Sequence, residues 1–154
     1  TQKRLNEIEE LVEKTKNEGA KVLLGGKRPA GFNKGFFYEP TIFDDVQDDF
    51  TIMKQEPFGP LVPMLSFKTF DEVIERANNN DLGLCSYICT NSMDRAHRAS
   101  ELMETGTVAV NTALVAIAEA PFGGIKQTGY GREGGSMAIK DYLNVKYTHL
   151  GLKG

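Results

Sequence analysis

The sequence contains no tryptophan and little cysteine or histidine. Its 154 residues include two cysteines and two histidines. Cys85 and Cys89 form a single C-x3-C pair, and His97 and His149 are isolated, so the sequence offers no zinc ligand set and predicts no metal site. We predict that both cysteines are buried free thiols, as is usual for proteins of a reducing compartment.

Basic charge and long apolar runs are also scarce. The net charge is -3 and the pI is near 5.5, which argues against the basic surface that nucleic acid requires. The longest apolar stretch, residues 107–118, is interrupted by Asn111 and Thr112 and is too short to cross a bilayer. Residues 1–16 are charged throughout, unlike a signal peptide, and we expect a cytoplasmic protein. The length suits one domain with its own core.

The apolar pattern predicts an α/β protein. Leu5, Ile8, Leu11 and Val12 recur at helical spacing and predict an amphipathic helix over residues 2–18. Strand and helix signals then alternate, which predicts a mostly parallel sheet with flanking helices. The predicted strands are 20–24, two short strands or a hairpin-like extension within 36–43, 61–67, 84–90, 107–111 and a terminal strand over 143–150. The other predicted helices begin after Thr69, at Asn91 or Ser92, and at Ser136.

Four aspartates follow the strands predicted within 36–43, at positions 44, 45, 48 and 49. They lack the alternating ligand order, the Gly and the Glu of an EF-hand loop. We therefore interpret them as a solvated acidic loop and not as a calcium site.

The run Gln55-Glu56-Pro57-Phe58-Gly59-Pro60 combines a carboxylate and an aromatic ring with backbone-fixing residues. Two prolines and a glycine restrict the turn, so both side chains should point in defined directions. A carboxylate can accept hydrogen bonds from ribose hydroxyls, and a ring beside it offers a flat apolar wall. The alternative is a rigid turn with an exposed Glu56 and a core Phe58.

The second informative run is rich in glycine and extends from Ala120-Pro121-Phe122-Gly123-Gly124 to Gly134. Its Gly129-x-Gly131-x-x-Gly134 segment has the spacing of a dinucleotide fingerprint. That fingerprint requires a βαβ unit with an acidic residue about twenty positions further on, and the chain ends too soon. We interpret the glycines as positions where backbones approach closely.

Taken together and in this order, the two runs resemble the C-terminal part of NAD(P)-dependent aldehyde dehydrogenases, from the opening helix to Lys146. The resemblance implies an enzyme that oxidises an aldehyde to its acid with NAD or NADP. It implies that Glu56 and Phe58 contact the nicotinamide ribose and ring. It also implies that Ala116 and Phe122 line the substrate path, Phe122 alternatively being a core aromatic.

Residues 121–151, and especially 134–147, are most similar to succinate-semialdehyde dehydrogenases, which makes succinate semialdehyde the candidate substrate. Members of that subgroup carry a serine near position 116 that helps to hold the distal carboxylate. Ala116 and Ile117 have no hydroxyl, and a lost hydrogen bond to a charged group costs about 1.5–3 kcal/mol.

The resemblance also implies a division of the chain. Residues 1–141 would be the C-terminal portion of the catalytic domain, and residues 142–154 an oligomerisation arm that makes the protein a homo-oligomer. The cofactor-binding domain, the nucleophilic Cys, the general-base Glu and the oxyanion-hole Asn would lie outside this chain. Neither Cys85 nor Cys89 matches the nucleophile, so we expect the isolated chain to be inactive. The alternative function is a non-catalytic piece that self-associates through its terminal strand.

Overall fold

The protein is described here by a computed structural model, covering residues 1–32, 34–152 and 154, which form two compact units. The first unit is Thr1–Glu72 and the second is Val73–Gly154. Within the described ranges, no helix is long and apolar enough to cross a membrane. The boundary placed between residues 141 and 142 from the sequence stays a prediction.

The first unit opens with helix α1, Gln2–Asn17, which confirms the predicted amphipathic helix. The hydroxyl oxygen of Thr1 caps it by accepting a hydrogen bond from the Arg4 N–H at 3.2 Å. All four residues of the predicted apolar stripe are buried, so the helical spacing correctly identified the inward face.

A small mixed sheet packs against α1. Strand β1, Lys21–Leu24, pairs antiparallel with β2, Thr41–Asp44, and β2 pairs parallel with β3, Leu61–Pro63. The prediction of two short strands or a hairpin-like extension within residues 36–43 was wrong, because one strand starts there, directly after Pro40. β3 is shorter than predicted and stops at Pro63, although the Met64 N–H still donates to the Phe43 carbonyl at 2.9 Å.

The centre of this unit is Phe43, whose side chain is fully buried in the middle of β2. It belongs to a cluster of apolar side chains from α1, the sheet and the short helix α2, Thr51–Lys54. The other buried members are Ile8, Leu11, Val12, Ala20, Val46, Ile52 and Leu61. The residues that lead into and out of α2 are therefore attached to a packed core.

Helix α3, Phe70–Asn78, begins in the first unit and ends in the second. The Thr69 hydroxyl accepts from the Glu72 N–H at 3.1 Å, and the Glu72 carboxylate accepts from the Lys68 N–H at 2.8 Å. The helix start predicted at Thr69 is therefore confirmed. The α3 residues are all exposed or half-buried.

The second unit contains two separate strand pairs and helix α4, Met93–Leu102, capped by Ser92. β4, Leu82–Gly83, pairs antiparallel with β7, Ile125–Lys126. β5, Cys85–Ile88, pairs parallel with β6, Thr107–Val110. The α/β class is confirmed, but the expected mostly parallel sheet is wrong, since the sheets are mixed.

The prediction that both cysteines of the second unit are buried is wrong. Cys85 is only half-buried and Cys89 is exposed, because Cys89 lies one residue beyond the end of β5. The short helix predicted over residues 136–142 is present as a 3₁₀ helix, Ala138–Tyr142. Residues 143–150 form no strand within this single chain, and the terminal strand, expected to extend the sheet of a neighbouring subunit, stays a prediction. An extended terminal segment gains a ladder only when another strand pairs with it.

Candidate functional site

Helix α2, which precedes the turn that carries Glu56, is anchored at its first residue. The Glu18 carboxylate accepts hydrogen bonds from the Thr51 N–H at 3.0 Å and from the Thr51 hydroxyl at 2.6 Å. The Thr51 hydroxyl hydrogen bond lowers the pKa of Glu18 against the opposing effect of desolvation. This contact ties the first residue of α2 to the end of α1, and Gln55 and Glu56 directly follow α2.

Backbone hydrogen bonds hold the turn after Glu56. The Gly59 N–H donates to the Pro57 carbonyl at 2.7 Å, and the Thr41 N–H donates to the Pro60 carbonyl at 2.8 Å. A Cβ at Gly59 would lie 2.8 Å from Cγ1 of Ile8, so a larger residue there would require the Ile8 side chain to shift. The rigid turn expected from the sequence is present.

Glu56 is exposed and lines a groove of about 540 Å³ in the first unit. Charged residues of α1 form the other side of this groove. Its lining consists of Arg4, Glu7, Ile8, Glu10, Leu11, Lys14, Thr51, Gln55, Glu56 and Pro57. The Glu56 carboxylate is therefore available to accept hydrogen bonds from a polar ligand.

The Phe58 ring lies on the surface of the same turn and is 66% exposed. The interpretation of Phe58 as a core residue is therefore wrong for this chain. The Arg4 guanidinium carbon is 5.9 Å from the ring centroid, within cation–π range. Glu56 and Phe58 thus project from one fixed turn, a carboxylate and an aromatic face two residues apart.

The second unit carries the other two candidate residues on one loop. Phe122 is half-buried and forms an antiparallel bridge with Glu133, in which both N–H groups donate, at 2.7 and 2.8 Å. The Gly135 N–H donates to the Ala118 carbonyl at 2.8 Å. A Cβ at Gly134, which has a φ of +74°, would lie 2.6 Å from the Ala120 carbonyl oxygen. The glycines permit close backbone approach here, as the sequence predicted.

Ala116 lies exposed in the segment between β6 and Phe122. The segment begins at Asn111, which has a φ of +54°. The Asn111 side-chain oxygen accepts from the Thr90 N–H at 2.9 Å, and its NH₂ donates to the Thr90 carbonyl at 2.8 Å. This amide fixes the start of the segment against the residues that follow β5. Asn111 was not among the residues predicted from the sequence, although Asn at a strand end is a known signal for positive φ.

Two other contacts of the second unit were also missed. Lys126, a non-glycine residue with a φ of +57°, makes an ion pair with Glu104 and bonds to two backbone carbonyls. Tyr87 lies beside Cys85, and the hydrogen bond to the Cys85 thiol raises the pKa of Tyr87. No simple sequence pattern marks the Lys126 contacts, because the partners are brought together only in the folded chain. Cys85 and Tyr87, in contrast, are two residues apart on β5 and therefore share one face of the strand.

The structure also shows the surroundings of the glycine motif and of the acidic residues. The Gly129-x-Gly131-x-x-Gly134 segment follows the two-residue strand β7 and precedes the 3₁₀ helix, so it opens no βαβ unit. Among residues 1–32, 34–152 and 154, no group of three or more His, Cys, Asp or Glu side chains could hold a metal ion. Lys21 pairs with Asp45 of the acidic loop.

Comparison with known proteins places this fold in a family. The profile of the Aldehyde dehydrogenase family matches residues 1–148, and the chain therefore belongs to that family. The chain is 47% identical over 144 residues to human retinal dehydrogenase 2 and 43% identical over 148 residues to the mitochondrial succinate-semialdehyde dehydrogenase of Arabidopsis thaliana. These alignments cover 94% and 96% of this chain.

The structure supports the same assignment. The NAD+ complex of aldehyde dehydrogenase from Bacillus cereus superimposes with a TM-score of 0.91 at 44% identity over 95% of this chain. The chain spans 27% and 28% of the two curated relatives and 29% of the Bacillus chain. The family resemblance inferred from the two loops is confirmed, whereas the succinate-semialdehyde subgroup is not singled out.

Proposed function

We propose that this chain is the C-terminal portion of an enzyme that oxidises an aldehyde to its carboxylic acid with a nicotinamide cofactor, NAD or NADP. The family match over residues 1–148 is the observation that carries the proposal. The similarity to a retinal and to a succinate-semialdehyde dehydrogenase supports an aldehyde as the substrate class.

Glu56 and Phe58 are the residues that we assign to the cofactor. The exposed carboxylate of Glu56 can accept hydrogen bonds from ribose hydroxyls, and the exposed Phe58 ring offers an apolar face to the nicotinamide. The cofactor, when bound, would supply the hydride acceptor. The protein's part in this chain is to bind and orient, for which a turn fixed by backbone bonds and prolines is suited.

Ala116 and Phe122 are the residues that we assign to the aldehyde path. Their loop is held by the bridge to Glu133 and by the Asn111 amide, so its shape is defined within the second unit. Succinate semialdehyde remains the candidate substrate, held without a hydroxyl at position 116. The nucleophile and general base of the reaction lie, in this proposal, outside these 154 residues.

We also propose that residues 143–150 pair with a second copy of the chain. Val145 is fully exposed, and its alternate neighbours Leu143 and Tyr147 are 61% and 83% exposed. An apolar alternating segment without a ladder partner favours strand addition. Val145→Lys should lower the mass measured by analytical ultracentrifugation toward that of the monomer. The control Lys146→Ala should leave this mass unchanged. An unchanged mass for Val145→Lys would contradict the proposal.

The cofactor assignment is tested with Glu56→Gln in the complete natural protein that contains this chain. Removing one charged hydrogen-bond acceptor should lower kcat/KM for the cofactor by about 10- to 100-fold. Glu10→Gln is the matched control, because Glu10 lines the same groove, and it should change kcat/KM by less than about twofold. Equal effects of both variants would refute a specific role for Glu56.

A further inference from the structure

Lys126 is held by an unusually complete set of contacts. Its Nζ is 2.6 Å from Oε2 of Glu104 and donates to the carbonyls of Asn78 at 2.8 Å and Asn80 at 3.1 Å. An ammonium has three donors, so these three oxygens satisfy it. The side chain of Lys126 is 25% exposed, which makes this ion pair less screened than the ion pairs on α1.

The backbone at Lys126 is strained in a way that requires such contacts. Its φ of +57° lies in the left-handed region, which residues other than Gly, Asn and Asp rarely adopt. A residue persists there only when its surroundings hold it. At Lys126 the surroundings are the β4–β7 pairing with Leu82 and the three oxygens around Nζ.

The acceptors of Lys126 are themselves fixed. The Asn78 side chain donates to the Leu102 carbonyl at 2.8 Å and accepts from the Glu104 N–H at 2.8 Å. Asn78 thereby joins the end of α3 to the end of α4, and Lys126 anchors β7 to both ends.

The backbone between Phe122 and Lys126 is closely packed. A Cβ at Gly106 would collide with the Gly123 carbonyl oxygen and lie 2.9 Å from Cα of Gly124. Nη1 of Arg132 donates to the Gly124 carbonyl at 2.9 Å. A shift of Lys126 is therefore passed along a close-packed backbone to Phe122, four residues earlier.

We propose that Lys126 is a positioning residue that sets the place of Phe122 and thereby the affinity for the aldehyde. The inference deepens the proposed function and rests on it, since it takes Phe122 as part of the aldehyde path. Lys126 acts through the backbone of residues 122–126 and has no direct part in the reaction.

The test uses the complete natural protein with three variants. Lys126→Met keeps most of the length of the side chain but removes the charge and the donors, whereas Lys126→Arg keeps the charge and the donors. Lys126→Met should raise KM for the aldehyde by about tenfold, the equivalent of one charge-assisted hydrogen bond, with the cofactor KM unchanged. Lys126→Arg should recover most of the loss. Lys140→Met is the control, because Lys140 is exposed on the 3₁₀ helix, and it should leave both KM values unchanged.

Equal rises of the aldehyde KM and the cofactor KM in Lys126→Met would overturn the proposal, and so would an unchanged aldehyde KM. If the natural protein itself does not oxidise aldehydes, the proposed function fails. Amide hydrogen exchange then tests the positioning role of Lys126 independently of activity. Faster exchange in Lys126→Met confined to residues 121–125 supports the positioning role. Unchanged exchange there, or faster exchange throughout residues 73–152, contradicts it.

Discussion

The two units of the chain are stabilised in different ways. In Thr1–Glu72, buried apolar side chains from α1, α2 and the sheet surround Phe43. In Val73–Gly154, the buried hydrophobic residues among those described are Ala99 and Ala109. The second unit relies instead on close backbone packing at glycines and on side chains that bond to backbone carbonyls, as Asn78, Asn111 and Lys126 do.

This difference determines which contacts hold each candidate residue in position. Glu56 and Phe58 lie on a turn whose Gly59 packs against Ile8, a member of the apolar core. Phe122 sits on a loop whose position depends on hydrogen bonds, since glycine and alanine contribute little apolar area. We therefore expect the first unit to be destabilised mainly by a loss of side-chain volume and the second unit mainly by added volume.

The largest effect should come from Phe43→Ala in the first unit. Removing a fully buried aromatic side chain leaves a cavity and costs about 3–5 kcal/mol. Urea denaturation of the chain, with hydrogen exchange read separately for residues 1–72, would measure it. Phe37→Ala is the matched control, because Phe37 is 52% exposed and should matter far less. Equal losses for the two phenylalanines would mean that the first unit has no specific core.

The next largest effect should come from Gly106→Ala in the second unit. The added Cβ meets the backbone of Gly123 and Gly124, which cannot rotate away, and overpacking of this kind costs about 1–3 kcal/mol. Exchange rates over residues 104–126 should rise while those of residues 1–72 stay the same.

Gly151→Ala is the control for this substitution, because no atom lies within 4 Å of a Cβ placed there. It should leave stability unchanged. A Gly106→Ala protein as stable as Gly151→Ala would show that close backbone packing does not hold the second unit.

The smallest effect should come from the surface pair of Glu9 and Arg28. Nε and Nη2 of Arg28 each lie 2.6 Å from a carboxylate oxygen of Glu9, and this hydrogen bonding lowers the pKa of Glu9 below its ordinary value of 4.5. Because the folded pKa is the lower one, the pair stabilises the protein above pH 4.5, and the contribution is lost as pH falls through the lowered pKa.

Arg28→Ala should therefore be slightly less stable than the unsubstituted chain at neutral pH and equally stable in acid below the lowered pKa. Denaturation midpoints of both proteins across this range would measure the convergence. A difference that persists or grows in acid would contradict the assigned role of the pair.

Local patterns predicted the parts of the fold that depend on local forces. The stripe of α1, the caps at Thr69 and Ser92 and the β5–β6 pairing all follow from periodicity and side-chain chemistry. The mixed sheet order could not be predicted, because β3 pairs with β2 through contacts that leave no periodic signal. The burial of Cys85 and Cys89 was mispredicted because the average behaviour of cysteine does not describe a unit with few buried side chains.

The candidate site could be predicted only where rigid turn residues and chemically active residues share one run. Glu56 and Phe58 were found that way, and the exposure of Phe58 came from the structure. Lys126 could not be found, because its partners at positions 78, 80 and 104 meet only after two helices and two strands have formed. Long-range side-chain-to-backbone bonds of this kind have no sequence spacing of their own.

Aldehyde-dependent reduction of NAD or NADP, followed by absorbance, tests the central claim most directly. It should be measured on the complete natural protein and on the 154-residue chain alone, with succinate semialdehyde and an apolar aldehyde as substrates. The account predicts turnover by the complete protein and none by the chain alone. Turnover by the isolated chain, or a complete natural protein of 17.0 kDa that reduces neither cofactor, would contradict it.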